Sequence, residues 1–305
     1  MTVTWDSLCS KIVTRGRMSR GITSVQGFVR AVFGMAKQSN EVRFYRGHSK
    51  GKKYKLAPAV FRTNDECSAE ATMFKELIIS NAPDFRDDSS TFEKLVRMQH
   101  YSLPTRLLDI STNPLVGLYF ACKSSPKDSG EIIQFTIKED KIKFFDSDTV
   151  SCIANLAQLS KKDKDGISFF ENLGAGVSSE LEDKDRSKNF NGQDPIRKLL
   201  HFIKEEKPYF RDAIFPDDLK RIICVRGKLN NSRIMSQSGA FLIFGLNTSL
   251  PEDGTPEIAI KRMTISASSK EKIIKELDQL ALNESTIFPY IENSARYIAA
   301  KYRPK

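Results

Sequence analysis

His100, Tyr101, Arg106 and Asp109 fall within one ten-residue run, His-Tyr-Ser-Leu-Pro-Thr-Arg-Leu-Leu-Asp. An imidazole and a carboxylate can take or give a proton near neutral pH, and a guanidinium can hold an anion. The run continues through Ile110, Ser111, Thr112 and Asn113 into Pro114 and then Leu115 to Cys122. Ser111, Thr112 or Asn113 can cap a helix that Pro114 opens, because proline lacks only an N–H that the first turn does not use. Leu115, Leu118, Tyr119 and Cys122 recur at i, i+3, i+4, i+7 and predict one buried stripe. A rigid apolar helix that pins a polar loop is a common way to build a site. The same pattern also fits a plain core helix preceded by a salt-bridged loop, with Arg106 and Asp109 paired to each other.

A second group lies upstream. Val42-Arg-Phe-Tyr-Arg-Gly47 reads as a short strand, with Val42, Phe44 and Arg46 on one face and Arg43, Tyr45 and Gly47 on the other. An arginine on a buried strand face is costly unless it meets an anion. Arg46 therefore pairs with an internal carboxylate or waits for a ligand phosphate, and Gly47 beside it leaves bare backbone that a ligand can approach. The basic turn His48-Ser-Lys-Gly-Lys-Lys-Tyr-Lys55 follows. A third group is the polar loop Asn230 to Ser238, which places Gln237 before the strand Gly239–Phe244; residues 226–251 contain no Asp or Glu.

The elements around these groups read as mixed α+β. Residues 1–40 form an N-terminal helical segment, with Ser24 capping a helix through Val25, Phe28, Val32 and Met35, and with Arg15, Arg17, Arg20 and Arg30 making it basic. Helical periodicity appears at 66–80, 90–101, 150–160, 196–210 and from Ser269, and strands at 131–137, 142–145, 222–225, 239–244 and 258–265. Residues 160–195 turn rich in Lys, Asp, Gly and Ser and read as a polar insert of exposed loops, with Phe169 and Phe170 marking a helical part. The predicted organisation is the helical segment 1–40 followed by one domain over 41–305 with that insert.

The chain has 305 residues, 40% hydrophobic and 28% charged, with net charge +10. No apolar run approaches the ~18 residues of a membrane span, and Met1–Ser10 lacks the charged start and apolar block of a signal peptide. Five scattered cysteines, none in a C-x-x-C pair, argue against a zinc site or disulfide framework and fit a cytoplasmic protein. Three dispersed histidines predict no metal site. The basic balance raises nucleic acid as a partner, with Lys50, Lys52, Lys53, Arg62 and Arg106 as phosphate contacts.

Phe44-Tyr-Arg-Gly47, Gln99 to Asp109 with Asn113-Pro114 and Tyr119-Phe-Ala121, Arg233-Ile234 with Gln237 to Phe241, and Phe288-Pro289 together resemble the FRG domain family over roughly residues 24–300. Members of that family are widespread in bacteria, often near phage-defence or toxin–antitoxin loci. The order of Arg-Gly strand, Ser-Thr before a helix, and late loop with Gln is also similar to the ADP-ribosyltransferase superfamily. That likeness implies a split, bent mixed β-sheet core flanked by helices, with NAD as substrate. It implies Arg46, Gly47 and His48 at the NAD, Ser111-Thr112 shaping a nicotinamide pocket, and Tyr119 as an aromatic wall. The superfamily's catalytic glutamate is replaced by Gln237, an amide that can bind a ribose hydroxyl but cannot offset positive charge. Another acid must then serve, Asp109 first and Glu70 second, with His100 or Asp109 removing the acceptor proton.

Three functions follow as expectations. The first is a transferase that moves ADP-ribose from NAD to an RNA or DNA base, acting as a defence or toxin effector with an antitoxin protein as partner and no membrane. The second is a nucleic-acid-binding module without turnover, with Tyr45 and Tyr54 available for stacking. The third is a metal-independent nuclease using His100, Arg106 and Asp109.

Overall fold

A computed structural model describes residues 21–36, 38–176, 189–228 and 235–302 and, except at 52, 169–176 and 301, their side chains. The arginines at 15, 17 and 20, the Lys52 side chain, Arg233 and Ile234 lie outside it.

Among the described residues eight strands form one mixed sheet: β1 Glu41–His48, β2 Leu107–Ser111, β3 Gly130–Lys138, β4 Lys143–Phe144, β5 Ile222–Arg226, β6 Gly239–Phe244, β7 Gly254–Thr255 and β8 Ile258–Ile265. Their spatial order is β4-β5-β6-β2-β1-β3-β8-β7, antiparallel except at β4–β5. β2 is a strand where the sequence reads as a loop. Its residues alternate between two cores: Leu108 and Ile110 face one, and Leu107 faces another.

One face of the sheet closes on a single core that includes Phe44, Ile110, Ile133, Phe135, Leu242 and Phe244, so the sheet curls around it. The other face carries two separate cores. Helices α2 (Asn64–Ser80), α3 (Thr91–His100) and α5 (Asp148–Asn155) bury Phe74, Phe92, Leu95 and Ile153 against Leu107, Phe241 and Ile243. Helices α1 (Val25–Phe33), α4 (Pro114–Cys122) and α8 (Lys270–Gln279) bury Phe28, Leu118 and Ile273 against Tyr45, Ile132 and Ile265. Burial of each such side chain contributes about 1.5–3 kcal/mol, so both helix groups are firmly seated. Between them the sheet parts. β1 and β3 are in register over eight residue pairs, whereas β1 meets β2 only at Tyr45–Ser111.

Ser24 caps its helix as expected, accepting from the Gly27 N–H. Of the candidates before Pro114 it is Asn113 that caps, accepting from the Leu115 N–H. Ser90 accepts from the Glu93 N–H. Each of the three satisfies a donor that the first turn leaves open, whereas Ser269 makes no side-chain cap bond. The polar insert departs from expectation in part: the helix expected around Phe169 and Phe170 forms, but it begins at Lys161. Lys161–Gly176 is one helix, α6, and α7 spans Asp194–Glu206. The Lys161–Gly166 run is helical rather than a loop, and Lys164 and Asp163 tie it to the rest of the fold. Lys164 Nζ lies 2.5 Å from Glu70 Oε2, and Asp163 bonds Lys198 at 2.7 Å. The short helix α9 (Glu284–Ile287) and α10 (Ile291–Lys301) complete the described chain.

Candidate functional site

Arg46 lies where β1 and β2 separate. Beyond Tyr45–Ser111 the two backbones no longer pair, and the guanidinium enters the gap. Its Nη1 donates to the Asp109 carbonyl oxygen at 2.7 Å, and its Nε donates to His48 Nε2 at 3.3 Å. Neither of these two acceptors is a carboxylate. A cleft of about 190 Å³ opens here, lined by Tyr45, Arg46, Gly47, Asp109, Ile110, Ser111, Val116, Gly117, Phe120 and Gln237. Of the residues predicted to bind NAD or act on it, Arg46, Gly47, Asp109, Ser111 and Gln237 converge on this cleft.

The walls are made by local geometry. On β2, Ser111 faces the helix-covered side with Tyr45, its partner in register, and Asp109 shares that face two residues earlier. The Ser111 hydroxyl donates to the Gln237 carbonyl at 2.5 Å and accepts from the Asn113 N–H at 3.0 Å. It thereby ties the end of β2 to both the 237 loop and the start of α4. Gln237 is buried, and its Nε2 donates to the Ile287 carbonyl at 3.1 Å. Among the described residues nothing bonds the Gln237 side-chain oxygen, and nothing bonds the Asp109 carboxylate; only the Asp109 main-chain oxygen is engaged. Arg46, Asp109 and Gln237 thus line one cleft together with Phe120.

Other predicted residues lie elsewhere. His48 is buried behind Arg46 rather than in the cleft, and its Nδ1 has no hydrogen-bond partner among the described residues. Burial first, and then the charges of Arg46, Arg262 and Arg62, lower its pKa to about 3, so it stays neutral and can accept from Arg46. Thr112 donates from both its N–H and its hydroxyl to the Ser238 carbonyl, at 3.1 and 3.3 Å, and holds the late loop instead of a ligand. Tyr119 is a core residue. Burial, then the charge of Glu284, pushes its phenol up to about 12, and the aromatic wall is its neighbour Phe120. The predicted stripe is too narrow to reveal Phe120, because α4 is apolar on nearly every side and the parted sheet decides which side stays open.

Gly47 lines the cleft and also meets a packing need that the sequence did not show. A Cβ there would sit 2.0 Å from the Gly117 carbonyl oxygen and 2.4 Å from the Ala121 nitrogen. The close approach it permits is that of α4, which crosses β1 at this glycine.

Arg106 and Glu70 are also reassigned. Arg106 is 1% exposed, and its Nε and Nη2 donate to the two oxygens of Glu70 at 2.8 and 2.6 Å. Its Nη1 reaches the Phe244 and Gly245 carbonyls at 2.9 and 3.2 Å. Burial pushes the Glu70 pKa up, but Arg106 and Lys164 outweigh it and hold the carboxyl below its usual range. This is an internal charge network. Arg106 is no phosphate contact, Glu70 no spare acid, and Arg106 does not pair with Asp109. His100 ends α3 with its ring against Tyr290, in contact through Nε2 and the phenol, and does not line the cleft. The nuclease trio His100, Arg106 and Asp109 therefore does not assemble.

Of the basic turn, Lys50, Lys53, Lys55 and Arg62 are exposed, and Lys53 pairs with Asp128 at 2.7 Å. Among the described residues no group of three or more His, Cys, Asp or Glu could hold a metal, and no helix is long and apolar enough to cross a membrane.

The fold and site define an α+β protein with a curled mixed sheet and a cation-bearing cleft at a parting of two strands. Residues 41–130 match the model of the FRG domain family. The matched stretch runs from the start of β1 to the first residue of β3 and holds Arg46, Asp109, Ser111 and α4; Gln237 lies outside it. No curated protein and no solved structure matches the chain.

Proposed function

We propose that the cleft binds NAD and that the chain transfers its ADP-ribose to a nucleic-acid base, as a bacterial defence or toxin effector. The observation that carries this reading is the convergence of Arg46, the uncommitted Asp109 carboxylate and the Gln237 oxygen on one cleft with an aromatic wall. These groups suit the chemistry. A guanidinium favours a diphosphate, an amide oxygen accepts from a ribose hydroxyl, and Phe120 offers a face to a flat ring. Loss of nicotinamide leaves positive charge at the anomeric carbon, which a carboxylate in a half-enclosed site offsets far better than an amide. Asp109 is the acid that takes this role, since Glu70 is committed to Arg106 and Lys164.

At about 190 Å³ the cleft is smaller than the ~300–1,000 Å³ of pockets that enclose drug-sized ligands. It suits the nicotinamide-ribose end, with the rest of the dinucleotide reaching outward past Arg46. The acceptor is taken as nucleic acid because net charge is +10 and because Lys50 and Lys55 are exposed on the turn that follows β1. Labelled NAD incubated with the protein and RNA, DNA or lysate tests the reading. Label transfer with nicotinamide release is expected. Absence of both with every acceptor would overturn it and leave steeply salt-dependent polyanion binding, through the same exposed lysines, as the function.

A further inference from the structure

The Phe288-Pro289 pair stands in the sequence motif but has no place in the cleft chemistry. It lies directly after Ile287, whose carbonyl oxygen accepts two hydrogen bonds from the 236–237 loop: Ser236 Oγ at 3.0 Å and Gln237 Nε2 at 3.1 Å. Ile287 itself is 1% exposed and seated in the α1/α4/α8 core. Phe288 packs edge-on against Phe120, the aromatic wall of the cleft, with ring centroids 5.8 Å apart, and Lys123 Nζ stands 4.4 Å from the centroid of the Phe288 ring. Two residues on, Tyr290 meets His100 at the end of α3. One short segment thus touches the late loop, the cleft-wall helix and the opposing helix group.

A peptide carbonyl can only accept. The group facing it from position 237 must therefore be a donor, so the amide nitrogen is turned to Ile287 and the amide oxygen is left toward the cleft. A carboxylate at 237 would set an acceptor against an acceptor in a buried place, unless it kept its proton.

We infer that Phe288 is a positioning residue: by fixing the Ile287 carbonyl it makes position 237 specific for an amide with its oxygen facing the cleft, which excludes an ionised glutamate there and leaves Asp109 as the cleft's acid. What the exposed oxygen contacts rests on the transferase reading; the selection of an amide does not.

The experiment is a double-mutant cycle read by thermal unfolding of the full chain without NAD, with Gln237→Glu and Phe288→Ala alone and together, from pH 5 to pH 8. A glutamate facing the carbonyl has its folded pKa raised above its unfolded value. Its stability is retained at low pH and lost as pH rises through the folded pKa. The Tm of Gln237→Glu is expected to fall further below that of the parent chain on going from pH 5 to pH 8, by roughly 3 °C or more. That pH-dependent deficit is expected to shrink when Phe288 is also alanine, because the carbonyl is no longer held in place. Phe288→Leu, which keeps apolar bulk, serves the same cycle should the alanine variant not fold.

A Gln237→Glu deficit that is flat across this pH range would overturn amide selection. Strict additivity of the two substitutions would show Phe288 to be packing alone and overturn its positioning role. Neither result depends on NAD, so coupling without NAD binding would keep this inference and remove only the transferase.

Discussion

The Arg46 side chain donates to the main-chain oxygen of Asp109, 2.7 Å away, at the place where β1 and β2 stop pairing. A ladder that continued past Tyr45–Ser111 would use that carbonyl for a strand–strand bond. Here a side-chain cation takes the position, so the parting of the sheet and the placing of a positive charge are one event. Arg46 also donates to His48, so two prongs of the guanidinium are held before any ligand arrives.

Arg46→Lys should therefore behave almost as Arg46→Ala. A single ammonium cannot reproduce a planar fork that reaches Asp109 and His48 in two directions. If the cleft binds NAD as proposed, both variants are expected to weaken that binding by about tenfold or more, equivalent to about 1.4 kcal/mol. A thermal-shift titration with NAD checks this, and a lysine variant that binds like the parent would show that point charge alone suffices.

Gly47→Ala should fail to give a stable fold. The new methyl would meet backbone atoms of α4 at 2.0 and 2.4 Å, and neither can swing aside as a side-chain end would. Overpacking of a core by a methylene costs about 1–3 kcal/mol, and a clash with two rigid backbones should lie at or above that range. Soluble yield and Tm measure it; a variant within a degree or two of the parent would mean that α4 can lift off β1.

Glu70→Ala removes the only acid bonded to Arg106 and Lys164 among the described residues and leaves two buried cations facing each other. Breaking a buried pair this way costs about 3–5 kcal/mol. Because Arg106 and Lys164 hold the Glu70 pKa below its usual range in spite of burial, the network contributes stability above the ordinary glutamate pKa. That contribution is lost as pH falls through the lowered value. Denaturant unfolding should show the gap between parent and Glu70→Ala narrowing in acid.

His48 should remain neutral across the physiological range. Its folded pKa of about 3 lies well below the usual 6.5, with desolvation the main cause and Arg46, Arg262 and Arg62 adding to it. Unfolding therefore takes up a proton below pH 6.5, and stability declines as pH falls from there toward 3, by at most about 1.4 kcal/mol per pH unit. The imidazole resonances of His48 are expected not to titrate between pH 5 and 8, and His48→Gln should flatten the acid loss of stability. A titration near pH 6.5 would mean that the ring is not enclosed.

On the proposed nucleic-acid reading, Lys50→Ala with Lys55→Ala should lower the salt dependence of oligonucleotide binding by about one unit of slope for each phosphate no longer neutralised. Both side chains are exposed, whereas Arg106, which its residue type would add to this set, is sealed inside the fold. An unchanged slope would move the polyanion surface elsewhere.

Local chemistry in the chain determined a good deal. Val42 to Gly47, Glu131 to Ile137 and Gly239 to Phe244 carried their strand patterns openly, and Ser24 marked one helix start and Ser111 to Asn113 narrowed another, because a capping oxygen acts within three residues. Arg46 and Asp109 were identifiable as candidates from residue type, and Ser111 and Gln237 from an order of motifs similar to that of the ADP-ribosyltransferase superfamily. What tertiary structure alone decided is which partner each one meets. Two arginines, 46 and 106, stand close to the strands of the site; only the packing of α2 against β2 gave Glu70 to Arg106 and set Arg46 on the Asp109 carbonyl at the parting of the strands. Gly47 pointed to close approach, and the fold chose a helix as the approaching body. Tyr119 and Phe120 differ by one position on an apolar helix, and the line along which β1 leaves β2 determined which ring faces the cleft. Sequence spacing fixes direction within one element, but contacts between elements far apart in the chain depend on how whole surfaces pack, and no local pattern records that.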